Sequence, residues 1–255
     1  MHVLDIPGFH TDDCLLLRCD YAALAQYMRE AGIVADALIV DAPYSDKTHS
    51  GAVVPRSDDA AGRDLDYAAW SAADVLGFVS TFAPRVSGWI VSITDHTLYP
   101  AWHAAHGGAS QRYGFAPLPL VERGGGCRLT GDGPSSITTW ISVARPRRDP
   151  WSRWGTMPGA YIGPREDKPV QGGKPLWAMR ALVRDYSRPG DLVCDPCAGG
   201  GTTLVAALEE GRRAIGCEPD AGRYEIAVKR IREARRPLPR IEAVRAQQLG
   251  LGGES

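Results

Sequence analysis

Short apolar runs alternate with segments of helical periodicity along the first half of this chain. Residues 15–20 and Ala37–Asp41 are apolar runs that each end in an acid, and the second is apolar up to its last residue. Such a continuous run is typical of a strand buried on both faces of a parallel sheet. Between them, Tyr21–Glu30 places apolar residues at 21, 24, 25 and 28, which predicts a helix. Strand, helix and strand in this order predict an α/β fold.

The same alternation continues downstream. Residues 1–13 are expected to form a loop, and the predicted elements that follow are a helix over 65–82, a strand over 89–94, a helix over 97–106, and strands over 116–121 and 136–143. The last two strands have no helix between them, so they predict an antiparallel hairpin at the edge of the sheet.

The second half contains an aperiodic segment and then returns to alternation. Residues 145–173 are rich in proline, glycine, arginine and tryptophan, which predicts an irregular excursion. The elements expected after it are a helix over 175–186, a strand over 192–194, a helix opened by Thr202 and Thr203, a strand over 213–217, and an arginine-rich helix to about residue 236. We therefore expect one domain over residues 1–240, followed by a flexible tail over 241–255.

Composition indicates the cellular compartment of the protein but says little about any reaction it catalyses. The net charge of −1 gives no general attraction to nucleic acid, so any such binding must come from local patches. Cys194 and Cys197 form a C-x-x-C, but the second pair that a zinc site needs is absent. Packing roles are favoured for the six cysteines over redox or metal roles, and no metal is expected. Without a leader-like start or a long apolar run, the sequence predicts a cytoplasmic protein that does not enter a membrane.

A glycine-rich turn between two predicted strands is the most informative stretch. The strand ending at Asp195 leads into Gly199-Gly-Gly201, then a helix, and then a second strand that delivers Glu218. This order is typical of a nucleotide-type cofactor site in an open α/β sheet. The third glycine of G-x-G-x-x-G and the lysine of a phosphate-binding loop are both absent, which disfavours a dinucleotide or a triphosphate.

The turn resembles a known cofactor motif. Asp195-Pro-Cys-Ala-Gly-Gly-Gly-Thr-Thr203 is similar to the D-P-F-x-G-x-G-T of amino-group DNA methyltransferases, and Asp41-Ala-Pro-Tyr44 is similar to their catalytic D-P-P-Y. Asp20 before a helix, and Gly173-Lys-Pro175 before another, match two further segments of that family. The motif order is the β-type permutation, with the catalytic half first. The resemblance implies a single Rossmann-like class I methyltransferase domain, with a mostly parallel sheet and typically seven strands.

The resemblance also implies roles for particular residues. The cofactor would be S-adenosylmethionine, with its adenine at Asp20, its methionine part at the Lys-Pro segment and glycine turn, and its ribose at Glu218. The implied cofactor residues are Asp20, Lys174, Pro175, Asp195, Pro196, Ala198, Gly199, Gly201, Thr202, Thr203 and Glu218. The implied catalytic residues are Asp41, Ala42, Pro43 and Tyr44.

The tetrapeptide contains the groups that methylation of an exocyclic amino group requires. Such an amino group is conjugated to its ring, so its lone pair must be aimed at the methyl donor by hydrogen-bond acceptors. Asp41 offers a carboxylate, Ala42 offers a carbonyl whose direction Pro43 restricts, and Tyr44 offers a face for a flipped base. No metal or covalent intermediate is needed. Ala42 departs from the usual proline, and aspartate at the first position favours adenine N6 over cytosine N4.

Candidate DNA contacts lie in two regions. Lys47 and His49 follow the tetrapeptide, although the polarity of a loop explains them equally well. The predicted excursion has a local excess of three positive charges over residues 145–168, and the family places target recognition there. Its candidate contacts are Arg147, Arg148, Trp151 and Arg153, with surface packing as the alternative. For Asp95 and His96, and for the arginine-rich helix, a solvated surface is favoured.

Several other functions remain compatible with the sequence. The acceptor could be cytosine N4, an RNA base or a protein amide, and the chain could instead be a DNA- or cofactor-binding subunit without turnover. Double-stranded DNA is the expected partner in a bacterial or phage-type restriction–modification setting. Because the excursion is short, site choice could need a second subunit. A homodimer, a partner nuclease and a specificity subunit all stay open.

Overall fold

A computed structural model describes residues 6–48, 68–124, 137–147, 154–170 and 172–234 of the chain. Within these residues, ten strands form one sheet, and six helices lie in its connections. The strands are β1 (Gly8–His10), β2 (Cys14–Leu17), β3 (Ala37–Asp41), β4 (Ile90–Thr94), β5 (Arg112–Gly114), β6 (Leu118–Arg123), β7 (Thr138–Pro146), β8 (Tyr161–Pro164), β9 (Leu192–Asp195) and β10 (Arg213–Cys217). The helices are α1 (Tyr21–Glu30), α2 (Ala72–Phe82), α3 (Tyr99–Gly107), α4 (Leu176–Tyr186), α5 (Thr202–Glu209) and α6 (Ala221–Glu233), with a 3₁₀ turn at Ala83–Arg85.

The sheet order is β1-β2-β10-β9-β3-β4-β7-β6-β8, with β5 paired to β7. Its five central strands, from β2 to β4, are all parallel. Chain direction reverses at the next pairing, where β4 meets β7 antiparallel. The chain leaves β9 toward β10 on one side and leaves β3 toward β4 on the other. The gap between β9 and β3 is therefore a topological switch point, where open α/β sheets bind ligands.

Two apolar layers cover the sheet, one on each face. Alternate residues of β3 point to opposite faces, so Ile39 joins one cluster while Leu38 and Val40 join the other. The first cluster contains buried residues of α4, α5 and α6, and the second contains those of α1, α2 and α3. This three-layer arrangement confirms the predicted α/β class, and it explains why β3 is apolar on both faces.

Most predicted elements are present, with two corrections in the first half. Residues 8–10 form strand β1 instead of a loop, pairing antiparallel with β2. The predicted helix over 65–82 begins only at Ala72, because Ser71 and Asp74 form a capping box there. Residues 68–71 are not helical, and residues 65–67 lie outside the described part of the chain.

The hairpin and the excursion need correction as well. Strands β6 and β7 do pair antiparallel, but β8 extends the sheet beyond them by pairing parallel with β6. The predicted excursion was therefore wrong at residues 145 and 146, which belong to β7, and at Tyr161–Pro164, a strand too short to show periodicity. Tyr161 is buried and donates a hydrogen bond to Asp185 at 2.7 Å, which fixes the strand against α4. Strands β1, β5 and β8 were not predicted from the sequence, and they explain why the sheet has ten strands instead of the seven expected.

The arginine-rich helix α6 ends at Glu233, three residues before the predicted end, with Ala234 already extended. The predicted tail lies outside the described residues. Within the part of the chain that the structure covers, no helix combines the length and apolar character needed to cross a membrane.

Candidate active site

A cavity of about 460 Å³ opens at the carboxyl ends of β3 and β9, at the switch point of the sheet. All four residues of the predicted catalytic tetrapeptide line it, as do nine of the predicted cofactor residues. Those nine are Asp20, Lys174, Asp195, Pro196, Ala198, Gly199, Thr202, Thr203 and Glu218. The fold thus brings together two motifs more than 150 residues apart in the sequence.

The glycine turn between β9 and α5 depends on left-handed backbone conformations. Gly199 has φ of 52° and Gly201 has φ of 77°, a region that side chains with a Cβ rarely adopt. A Cβ on Gly201 would also lie 3.0 Å from the Cβ of Ala227 in α6. Gly201 does not line the cavity; it lets the turn pack on α6. Arg230 of α6 further holds the turn by donating hydrogen bonds to the Gly200 carbonyl and, at 2.9 Å, to the Thr202 hydroxyl.

Glu218 follows β10 and holds the turn from its other side. One carboxylate oxygen accepts the Gly199 N–H at 2.8 Å, and the other accepts the Asp220 N–H at 2.9 Å. Burial raises the pKa of this carboxyl, against the effect of those two hydrogen bonds. Because each carboxylate oxygen has two lone pairs, both can accept a further hydrogen bond from a ligand hydroxyl.

Asp195 is the most deeply buried acid of the site and ends β9. Its Oδ1 atom accepts the Cys197 N–H at 3.0 Å. Burial raises the pKa of Asp195 to about 7, and the nearby Asp41 and Glu218 add to that rise, while hydrogen bonds from Thr203 and Cys197 oppose it. The acid therefore serves the shape of the turn and can carry a proton near neutral pH.

Asp41 ends β3 beside the glycine turn and has both carboxylate oxygens engaged. Its Oδ1 atom accepts the Tyr44 hydroxyl at 3.2 Å, and its Oδ2 atom accepts Lys174 Nζ at 2.7 Å. Lys174 also donates to the Gly172 carbonyl at 3.1 Å and lies 4.9 Å from the centre of the Tyr44 ring. The motif resemblance implied only a cofactor role for Lys174, so its contact with Asp41 was not predicted.

An aromatic wall beside the tetrapeptide was also missed. The Tyr44 carbonyl accepts the Trp70 N–H at 3.0 Å, which fixes Trp70 against the cavity. Tyr21, the first residue of α1, lines the cavity as well, and its ring lies 5.8 Å from that of Trp70. The apolar periodicity predicts that Tyr21 packs in the core, and it places Trp70 within the predicted helix over 65–82. The sequence therefore did not indicate that either side chain lines a ligand cavity.

Asp95 corrects a prediction, because it is buried and not part of a solvated pair. Its Oδ2 atom accepts the Ser45 N–H at 2.9 Å, the Ser45 hydroxyl at 2.6 Å and the Thr48 hydroxyl at 2.6 Å. Its Oδ1 atom accepts the N–H groups of Thr97 and Leu98. Burial alone would raise the pKa of Asp95, but these hydrogen bonds hold it below its ordinary value. His96 beside it is exposed, as predicted.

The remaining predicted site residues are placed as follows. Asp20 lies at the exposed rim, where its Oδ1 atom caps α1 by accepting the Ala23 N–H at 2.8 Å. Pro175 is the N-cap residue of α4 and does not line the cavity.

Lys47 is exposed after the tetrapeptide. Arg147 donates to the Arg112 carbonyl at 3.2 Å and lies 5.8 Å from the Tyr113 ring. His49, Arg148, Trp151 and Arg153 lie outside the described residues.

The cysteines near the site are free thiols. Cys194 is buried in β9, Cys197 is partly buried, and burial raises the pKa of each thiol. In the described part of the chain, no three His, Cys, Asp or Glu side chains are grouped as a metal site would require.

Comparisons with known sequences point to one family. A family model described as DNA methylase (N6_N4_Mtase) matches residues 138–229, a segment that includes Lys174, the glycine turn and Glu218. The chain is 47% identical over 58 residues to "Type II methyltransferase M.HindIII" of Haemophilus influenzae, covering 23% of this chain and 19% of that protein. It is 35% identical over 66 residues to "DNA adenine methyltransferase YhdJ" of Escherichia coli, covering 26% of this chain and 22% of that one. The matches thus span about a fifth of each relative.

Solved structures match over most of the chain. The complex of M1.HpyAVI with SAM superposes with a TM-score of 0.64 at 17% identity, over 86% of this chain and 98% of that one. The cytosine-N4-specific PvuII DNA methyltransferase gives a TM-score of 0.60 at 12% identity, over 98% and 96% of the two chains. At these identities the likeness concerns the fold.

Proposed function

Because this chain belongs to the amino-group DNA methyltransferase family, by its sequence over residues 138–229 and by its fold, we propose that it methylates DNA. The reaction moves the methyl group of S-adenosylmethionine to an exocyclic amino group of a flipped base. One observation carries the proposal: the Asp41 tetrapeptide and the glycine turn end neighbouring parallel strands and line one cavity. A methyl donor and an acceptor base must meet in such a place.

The residues of the glycine turn fit S-adenosylmethionine, which supplies an activated methyl group when it is bound. Gly199 lines the cavity without a side chain, so a ligand can approach the backbone closely. Glu218 has acceptor capacity left for the ribose hydroxyls, beyond the two N–H groups that it already binds. Asp20 at the rim and the aromatic face of Tyr21 beside it are suited to the adenine. Thr202 and Thr203 complete the binding surface at the start of α5.

In this proposal the tetrapeptide aims the acceptor. Asp41 accepts an N–H of the target amino group, and the carbonyl of Ala42 is the second acceptor, so that the nitrogen lone pair faces the methyl group. The positive charge that develops on that nitrogen is stabilised by the carboxylate. Tyr44 and Trp70 form the aromatic surface on which a base rotated out of its stack can rest.

We propose adenine N6 as the target, because the tetrapeptide begins with an aspartate in place of the serine usual in cytosine N4 enzymes. Cytosine N4 is the second candidate, since the chain shares its fold with the cytosine-N4-specific PvuII enzyme. The two bases present the same exocyclic amino group next to a ring nitrogen, so the acceptors of the tetrapeptide serve either.

The proposed substrate is double-stranded DNA, and residues 1–240 form the proposed catalytic domain, with target recognition around residues 145–173. Arg147 and Lys47 are the described members of the proposed DNA surface, and His49, Arg148, Trp151 and Arg153 are proposed to join them. Arg147 lies beside Tyr113, which is exposed, so an aromatic and a cationic group face solvent together. Such pairs are suited to phosphates and bases.

Sequencing that detects modified bases, on DNA from cells that express the protein, tests this function. We expect methylation at one short sequence, and the modified base separates adenine N6 from cytosine N4. A matched strain that expresses Asp41→Ala supplies the background. If no DNA modification appears, tritium transfer to RNA and to protein acceptors separates the rival substrates from a subunit without turnover, which would bind the cofactor and transfer nothing.

A further inference from the structure

Lys174 and Asp41 form an ion pair inside the candidate active site. Lys174 Nζ lies 2.7 Å from Asp41 Oδ2, and the two side chains are only 8% and 24% exposed. The two residues are 133 positions apart, so the pair joins the segment before α4 to the end of β3. An ion pair with this little exposure is screened weakly by solvent, and its geometry therefore matters more than that of a surface pair.

The main chain around Lys174 is held on several sides. The Glu166 carboxylate accepts the Leu176 N–H at 2.7 Å, two residues after the lysine, at the start of α4. Before it, Lys168 is paired with Glu122 of β6 at 2.6 Å, and the Val170 side chain packs against Gly200 of the glycine turn. Residues 165–170 are thus attached to β6, to the start of α4 and to the glycine turn. These contacts fix the main-chain position of Lys174, and so they restrict where its side chain can reach.

Charge around the cavity is strongly unbalanced. Five acids line it, and only two cationic residues, Lys174 and Arg223, are among the described residues that do so; the acids are Asp20, Asp41, Asp195, Glu218 and Asp220. Lys174 is the cation in contact with Asp41, whose charge lies close enough to Asp195 to raise the pKa of that acid. An ammonium at this point offsets repulsion among the acids and gives Asp41 a fixed partner.

We infer that Lys174 is the positioning residue of the catalytic carboxylate and not primarily a cofactor ligand. This inference rests on the proposed function, and it assigns one oxygen of Asp41 to each task. Lys174 fixes Oδ2, so that Oδ1, whose partner is the Tyr44 hydroxyl, is the oxygen presented to the target amino group. The amino N–H takes the place of the tyrosine hydroxyl at Oδ1, while the bond to Lys174 persists through the reaction.

The test measures rate and cofactor affinity separately on the full chain. Lys174→Met removes the ammonium and keeps most of the apolar stem, and Lys174→Arg retains a cation as the matched control. Single-turnover methylation is measured at saturating S-adenosylmethionine and DNA, and cofactor affinity is measured by calorimetry. We expect Lys174→Met to lose about 100-fold in rate, the typical effect of a misplaced catalytic group, with cofactor affinity unchanged. Lys174→Arg should recover most of that rate.

A double-mutant cycle on cofactor-free protein tests the contact without any activity. The four proteins are the wild type, Lys174→Met, Asp41→Asn and the double variant, compared by thermal unfolding. We expect Lys174→Met to lower Tm in the wild-type background and to change it much less once Asp41 is Asn. If Lys174→Met alone does not fold and the double variant does, the same coupling is demonstrated.

Failure of the Lys174 inference and failure of the proposed function would give different results. Weaker cofactor binding with an unchanged saturated rate would make Lys174 a cofactor ligand and overturn the inference. Additive effects in the thermal cycle would overturn it too. A wild-type protein that methylates no DNA would refute the proposed function instead, while the thermal cycle would still decide whether Lys174 acts on Asp41.

Discussion

Asp95 holds Ser45 through two hydrogen bonds to one oxygen atom, from the Ser45 N–H at 2.9 Å and from its hydroxyl at 2.6 Å. Ser45 directly follows the proposed catalytic tetrapeptide, whereas Asp95 directly follows β4. The carboxylate therefore ties the loop after β3 to the neighbouring strand of the sheet. We expect the direction in which Tyr44 and the Ala42 carbonyl point to depend on this connection.

Replacing Asp95 should loosen that loop. Asp95→Ala leaves five donors without their acceptor, and each hydrogen bond to a charged group contributes about 1.5–3 kcal/mol. We expect a clear fall in Tm and a loss of methylation rate of roughly 10- to 100-fold, because the acceptors of the tetrapeptide lose their orientation. Quenched methylation reactions on duplex DNA measure the rate, and thermal unfolding measures Tm. The exposed neighbour gives the control, His96→Ala, which should change neither; equal losses in both variants would contradict this role.

The glycine turn allows a comparison of two glycines. Gly201→Ala places a Cβ 3.0 Å from that of Ala227, whereas a Cβ on Gly199 meets nothing within 4 Å. Both residues are left-handed, which costs a non-glycine residue about 1–2 kcal/mol. We therefore expect Gly201→Ala to be the less stable variant in denaturant unfolding. Cofactor affinity should instead fall more in Gly199→Ala, since Gly199 lines the cavity and Gly201 does not. The reverse order in stability would mean that the turn does not pack on α6 as described.

Asp195 predicts a pH dependence of stability. In the folded protein its pKa is raised to about 7. In the unfolded chain an aspartate titrates at about 4, so the folded state holds the extra proton between these two values. The stability that this proton contributes is complete below about pH 4 and is lost as the pH rises toward about 7. Unfolding of the cofactor-free protein from pH 5 to pH 8 should show this fall.

The matched variant isolates the effect of that carboxyl. Asp195→Asn cannot ionise, so its stability should decline less over the same pH range than that of the wild type. Asp12→Asn changes an exposed aspartate and should leave the wild-type decline as it is. Identical slopes for Asp195→Asn and the wild type would show that another group titrates in this window.

Ala42→Pro restores the residue most common in the family at this position. The proposed acceptor at residue 42 is a main-chain carbonyl, so we expect the methylation rate to stay within about tenfold of wild type. Pro43→Ala removes the ring that keeps Ala42 extended, so this variant should lose more of the methylation rate than Ala42→Pro does. Total loss of activity in a folded Ala42→Pro protein would show that the loop is used differently.

The sequence predicts the parts of this site that lie next to each other along the chain. Asp41 to Tyr44 and Asp195 to Thr203 are contiguous motifs, and the apolar runs before them identify the central strands. Because parallel strands end at one edge of a sheet, the meeting of the two motifs also follows from the pattern. Glu218 follows in the same way, as the first residue after the next strand.

Contacts made across the fold could not be predicted in this way. The pairing of Lys174 with Asp41 depends on how a segment before α4 crosses the glycine turn, and nothing local indicates it. Asp95 looks like a solvated acid until its five donors are known. Strands β1 and β8 have three and four residues, too few for an alternation to be recognised. Trp70 precedes the capping box at Ser71, so its position outside the helix depends on where that helix begins.

In the proposed mechanism, Asp41 aims a DNA amino group at the methyl donor. Duplex DNA that contains the target sequence, incubated with protein and S-adenosylmethionine carrying a deuterated methyl group, can be digested to nucleosides and analysed by mass spectrometry. We predict deuterated N6-methyladenine with the wild type and none with Asp41→Ala, although calorimetry should show that this variant still binds the cofactor. Equal incorporation by the two proteins would show that Asp41 does not aim the amino group.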